Sequence, residues 1–110
     1  MEINEVKIEI YIPSKFIVKL RDELNKINAG KIGNYDHCMS VVNVKGYWRP
    51  LEEANPYSGN IGEVSEGEEC KVEVRCKMEY VKDAIEVIRK VHPYEEPVFN
   101  IIPILNDLFE

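Results

Sequence analysis

The chain is short of the features that announce many activities. It has no run approaching the roughly 20 apolar residues of a membrane span, and Met1 to Lys7 open into an alternating pattern rather than a signal-peptide core. The expectation is a cytoplasmic protein with no membrane contact. No C-x-x-C occurs, which removes the zinc-ribbon and thioredoxin patterns, and no G-x-x-x-x-G-K-[ST] or G-x-G-x-x-G supplies a phosphate cradle. Only 3 cysteines are present, Cys38, Cys70 and Cys76. Cys70 and Cys76 on one strand would stand roughly 20 Å apart at about 3.3 Å per residue, out of disulfide reach, so reduced thiols are expected, with these two as small core residues. Lys and Arg are missing from Pro50 to Glu69, which carries Glu52, Glu53, Glu63, Glu66, Glu68 and Glu69 and so holds the whole excess behind the net charge of −6. That stretch reads as a long acidic loop over about 47–69, unfavourable to phosphate backbones.

What is present is patterned. Val6, Ile8, Ile10 and Ile12 alternate with polar neighbours, the signature of a strand buried on one face, and Pro13 stops it. Ser14 is placed to cap a helix with Phe16, Ile17, Leu20, Leu24 and Ile27 on one side, ending at Asn28-Ala29-Gly30. Val41, Val42 and Val44 mark a second strand within Asp36 to Tyr47, and Cys70, Val72, Val74 and Cys76 a third. A second helix from about Glu79 to Val91 presents Val81, Ala84, Ile85, Ile88 and Val91 and is ended by Pro93; Val98 to Ile102 is the last strand. The order β-α-β-β-α-β predicts an α+β fold, the ferredoxin-like sandwich, as a single domain over 1–110. The apolar tail Pro103 to Glu110 is expected to cover a sheet edge or a neighbouring subunit.

This topology serves some RNA-binding modules, but their third strand carries aromatics for base stacking, and Glu69 to Cys76 has none. With the acidic balance, nucleic acid is not an expected partner.

Three segments hold residues a packed core does not require. Gly30 to Cys38 sets Tyr35, Asp36, His37 and Cys38 in succession after two glycines; Asp36 and Cys38 would share a strand face. Gly46 to Gly62 places Trp48, Arg49, Asn55 and Tyr57 in a loop, where rings and a guanidinium suit either packing or a ligand wall. His92-Pro93-Tyr94-Glu95-Glu96-Pro97 holds an imidazole and two carboxylates in a turn stiffened by prolines.

Gly30-x-Ile32-Gly33-Asn34-Tyr35-Asp36-x-Cys38, Arg49-Pro50, Asn55-Pro56-Tyr57-x-Gly59 and His92-Pro93-Tyr94-Glu95-Glu96-Pro97, in this order, closely resemble the domain inserted in YqfO-type proteins of the dinuclear-metal-centre (Nif-three-like) family. The His-Pro-Tyr-Glu segment is also similar to that of the CutA divalent-cation-tolerance family, and both groups resemble PII signalling proteins. The resemblance implies a CutA/PII-like fold, a homotrimer, and ligand binding by the loop between strands two and three or by clefts between subunits. It is to the insert alone, so the two-metal site of the flanking domains is not carried over. Phe99 and Asn100 stand where many relatives have Tyr and Asp.

The expected function is therefore a non-enzymatic, trimeric, regulatory module that binds a small ligand or a divalent metal ion. Tyr35, Asp36, Trp48, Arg49, Asn55, Tyr57 and Tyr94 are the candidate ligand contacts, and Cys38, His92, Glu95 and Glu96 the candidate metal ligands. Two alternatives stay open: an enzyme using His92 with Glu95 or Glu96 as an acid–base pair, and an interaction domain regulating a separate metal-centre protein.

Overall fold

The computed structural model describes residues 2–110. Strands β1 (Glu5–Ile12), β2 (Ser40–Trp48), β3 (Ser65–Lys77) and β4 (Val98–Pro103) form one sheet in the order β2-β3-β1-β4, with every neighbouring pair antiparallel. Helices α1 (Ile17–Lys26) and α2 (Val81–Val91) follow β1 and β3. The architecture is the expected βαββαβ sandwich.

Alternation builds the core. Val6, Ile8, Ile10 and Ile12 of β1 and Cys70, Val72, Val74 and Cys76 of β3 are all buried, paired across the strands and facing Leu20, Leu24, Val81, Ala84, Ile88 and Val91 of the helices. Each fully buried Ile or Leu contributes about 1.5–3 kcal/mol, so this layer dominates the stability. All three cysteines are free, and burial, followed by the nearby Glu5 carboxylate, pushes the Cys76 thiol up to about 11. The other face carries cross-strand ion pairs: Glu5–Arg75 at 2.7 Å, Lys7–Glu73 at 3.2 Å and Glu9–Lys71 at 4.0 Å.

Several local expectations change. Ser14 does not cap α1: Ser14–Phe16 is a 3-10 turn, and no side chain bonds the helix start. Residues 36–39 are not strand, because His37 takes φ 58 and breaks the extended backbone. β3 begins at Ser65, so Glu66, Glu68 and Glu69 belong to a strand and the connection shortens to 49–64. The tail does not cover the sheet edge in this chain; Ile104 N–H donates to Glu5 O at 3.0 Å, but Leu105 and Leu108 are exposed and Phe109 is 86% exposed.

Candidate ligand-binding cleft

β1 ends at Ile12, opposite Cys70, so the stretches Val44–Trp48 and Ser65–Glu69 pair only with each other and leave the sheet as a two-stranded arm. In that arm Gly46 pairs with Gly67. Two facing glycines leave bare backbone, and the flanking side chains lie across it. A Cβ on Gly67 would stand 3.1 Å from Trp48 Cη2, and one on Gly46 would stand 3.0 Å from Glu69 Oε1. Gly59, at φ +97, clears the indole edge: a Cβ there would fall 2.9 Å from Trp48 Nε1. Trp48 Nε1 donates to Ser58 O at 3.0 Å, Arg49 Nε to Gly62 O at 3.1 Å, and Gly62 N–H to Pro50 O at 2.8 Å. The connection 49–64 is thus folded back onto the outer end of the arm.

The second wall is the turn after α2. His92 is only 6% exposed; its Nε2 meets Tyr11 O, and its Nδ1 accepts from Tyr94 N–H at 3.2 Å. A carbonyl can only accept and an amide N–H can only donate, which assigns the neutral Nε2–H tautomer. Burial holds the His92 imidazole below its ordinary value, against the opposing pull of the Tyr11 carbonyl and the Glu69 carboxylate. Tyr94 Oη donates to Glu69 Oε2 at 3.1 Å; burial, then Glu69, push this phenol up to about 12. The Tyr57 and Tyr94 rings stand 5.7 Å apart. Asn55 N–H donates to both oxygens of Glu95, at 3.0 and 3.2 Å, which joins the connection to the turn.

Between these walls lies a cavity of ≈ 530 Å³ lined by Trp48, Pro50, Leu51, Tyr57, Tyr94 and Val98, with Arg49 and the carboxylates Glu53, Glu69, Glu95 and Glu96. Its size and apolar walls suit a small organic molecule. Of the residues nominated from sequence, Trp48, Arg49, Tyr57, Tyr94, Glu95 and Glu96 line it, Asn55 adjoins through its amide, and His92 braces Tyr94 from behind. Glu69 and the Gly46–Gly67 pair were not nominated; reading β3 through to Ser65 would have placed both glycines in one hairpin.

Tyr35, Asp36 and Cys38 lie elsewhere. Cys38 N–H donates to Gly30 O at 2.8 Å, Gly30 N–H donates to Arg75 O at 2.8 Å, and Cys38 borders a separate hollow of ≈ 220 Å³ beside Lys7 and Arg75. Lys7 and Tyr11, the β1 residues beside Cys38 and His92, are roughly 13 Å apart at about 3.3 Å per residue, so these two candidate metal ligands do not converge within one chain. Asp36 Oδ1 bonds His37 Nδ1 at 2.8 Å, which lowers the Asp36 pKa, and Tyr35 is 75% exposed. Among the described residues, no group of three or more His, Cys, Asp and Glu side chains could hold a metal ion.

The arm, sheet and paired helices define a CutA/PII-like α+β module. The periplasmic divalent cation tolerance protein CutA from Archaeoglobus fulgidus matches with TM-score 0.69 at 18% identity, over 92% of this chain and 84% of that one. GlnK from B. subtilis matches with TM-score 0.63 at 20% identity, over 93% and 86%. A Bacillus cereus protein related to NIF3 matches with TM-score 0.82 at 26% identity, over 94% of this chain but 26% of that one. In sequence, the chain is 33% identical over 96 residues to a GTP cyclohydrolase 1 type 2 homolog of Staphylococcus epidermidis, covering 87% of this chain and 26% of the relative. The chain thus spans about a quarter of the length of the curated relatives it matches. No family model matches it. Its homologues are these NIF3-type proteins, in agreement with the likeness carried by its motifs.

Proposed function

We propose that this chain is a non-enzymatic regulatory module of the cytoplasm that assembles as a homotrimer and takes a small ligand in the cleft between the β2–β3 arm and the His92–Pro97 turn. The observation that carries the reading is the cleft itself: aromatic walls, each fixed by hydrogen bonds or by glycine clearance, around a cavity of ≈ 530 Å³. Assembly is supported by apolar surface left open on the chain, including Val42, Val98, Leu108 and Phe109. No described helix is long and apolar enough to cross a membrane.

Of the two ligand classes expected, the small molecule has the better support. Both ring nitrogens of His92 are engaged, and Cys38 stands beside the other end of β1. A metal held by both would need ligands from more than one chain. With both ring nitrogens engaged, His92 presents no free group to a substrate, which disfavours its use in an acid–base pair with Glu95 or Glu96. The activity in the relatives' name describes proteins of which this chain covers 26%, and it is not assigned to this chain.

Light scattering at micromolar concentration tests the assembly: three times 12.8 kDa is expected, and 12.8 kDa would refute the trimer. A thermal-shift screen of small metabolites tests the ligand. Hits lost on Trp48→Ala would support the cleft, and hits indifferent to that substitution would place binding elsewhere.

A further inference from the structure

We propose that the cleft selects organic cations: small molecules with an apolar, ring-bearing body and one protonated amine. The proposal rests on the cleft being the ligand site and names the chemistry it takes.

Charge is the first ground. The lining holds four carboxylates, Glu53, Glu69, Glu95 and Glu96, against the single guanidinium of Arg49. Arg49 donates through Nε to Gly62 O, and its terminal N–H groups are the one cationic donor set in this lining, so an anionic ligand gains a single guanidinium while facing like charge on several sides. Glu95 is committed to the Asn55 amide, and Glu69 Oε2 accepts from Tyr94. Glu69 Oε1 and the exposed Glu53 and Glu96 remain to receive an ammonium group.

Aromatic chemistry is the second ground. With Nε1 bound to Ser58 O, Trp48 has only its ring surface left to offer, and Tyr57 and Tyr94 add two further rings. Ring faces attract cations, most strongly where water is displaced. Tyr57 already does so within the chain: Lys15 Nζ lies 5.9 Å from its ring centroid.

The test compares three probes of nearly equal shape at pH 7: 2-phenylethylamine, which is protonated, 2-phenylethanol, which is neutral, and phenylacetate, which is an anion. Trp48 is the only tryptophan, so its fluorescence reports the cleft directly. The amine should bind about tenfold more tightly than the alcohol, with phenylacetate weakest and added salt eroding the amine's advantage. Glu69→Gln, and separately Glu96→Gln on the exposed rim, should each reduce the amine's advantage over the alcohol. Equal or tighter binding of the alcohol or phenylacetate would overturn cation selectivity while leaving the cleft as a ligand site. No response of Trp48 to any of the three would overturn the site reading as well.

Discussion

Tyr94 Oη donates to Glu69 Oε2 at 3.1 Å, so the turn entering β4 is tied to the base of the β2–β3 arm. The two residues lie 25 positions apart and belong to opposite walls of the cleft. Through them the arm and the turn become one continuous surface lining the cleft.

Removing that bond should loosen the cleft without unfolding the domain. Tyr94→Phe keeps the ring and is expected to lose about 0.5–1.5 kcal/mol in urea denaturation, the usual net value of such a bond. Amide exchange at Asn55 should quicken in the same variant, because Glu95, which holds that amide, belongs to the same turn. In the native protein one tyrosine should titrate near 12 by ultraviolet absorbance, and Tyr94→Phe should remove that step. Unchanged stability and exchange would show that Glu69 and Tyr94 do not couple the walls.

The imidazole of His92 gives a pH dependence of known direction. Burial lowers its folded-state pKa below the unfolded reference of about 6.5, so as pH falls the unfolded chain takes up this proton first. The contribution of His92 to stability is therefore complete above about pH 6.5 and declines below it, until the folded value is passed. Protonating Nδ1 would also turn it toward the Tyr94 N–H as a second donor. Urea midpoints from pH 8 to 5 should fall more steeply for the native protein than for His92→Phe, the difference isolating the histidine from the carboxylates. Parallel curves would contradict this.

Gly30 and Gly33 both have positive φ, at +82 and +57, but different surroundings. A Cβ on Gly30 would stand 2.8 Å from Cys38 O, whereas none would touch anything within 4 Å at Gly33. Gly33→Ala should cost about 1–2 kcal/mol for its backbone conformation alone. Gly30→Ala adds a clash of about 1–3 kcal/mol, since the backbone carbonyl it meets cannot move aside. Equal thermal stability of the two variants would show that the Gly30–Cys38 approach is not tight.

The parts of the fold governed by period were legible in the sequence. β1, the core half of β3 and the apolar face of α2 follow directly from alternating or helical spacing, because burial on one face repeats with the backbone. The outer half of β3 was not, since Glu66, Glu68 and Glu69 read as a solvated loop. They sit in an arm that neither helix covers, so the strand there carries no apolar face to announce it. Trp48, Tyr57 and Tyr94 could be nominated because large rings in a loop and a proline-bound turn have no core role. Their meeting with Glu69 depends on the Gly46–Gly67 pair, a register relation between distant positions that local pattern does not contain. The turn at Tyr35 to Cys38 misled for a related reason: strand alternation was assumed where His37 adopts a left-handed backbone.

The most direct test of a ligand-binding cleft is the indole N–H resonance of Trp48 in a ¹⁵N-labelled protein, a single peak because the chain has 1 tryptophan. Small molecules that stabilise the protein against heat should shift this peak together with the amides of Asn55, Tyr57 and Tyr94. Shifts confined to the neighbourhood of Cys38 and Lys7, with the Trp48 peak unmoved, would contradict the assignment of the site.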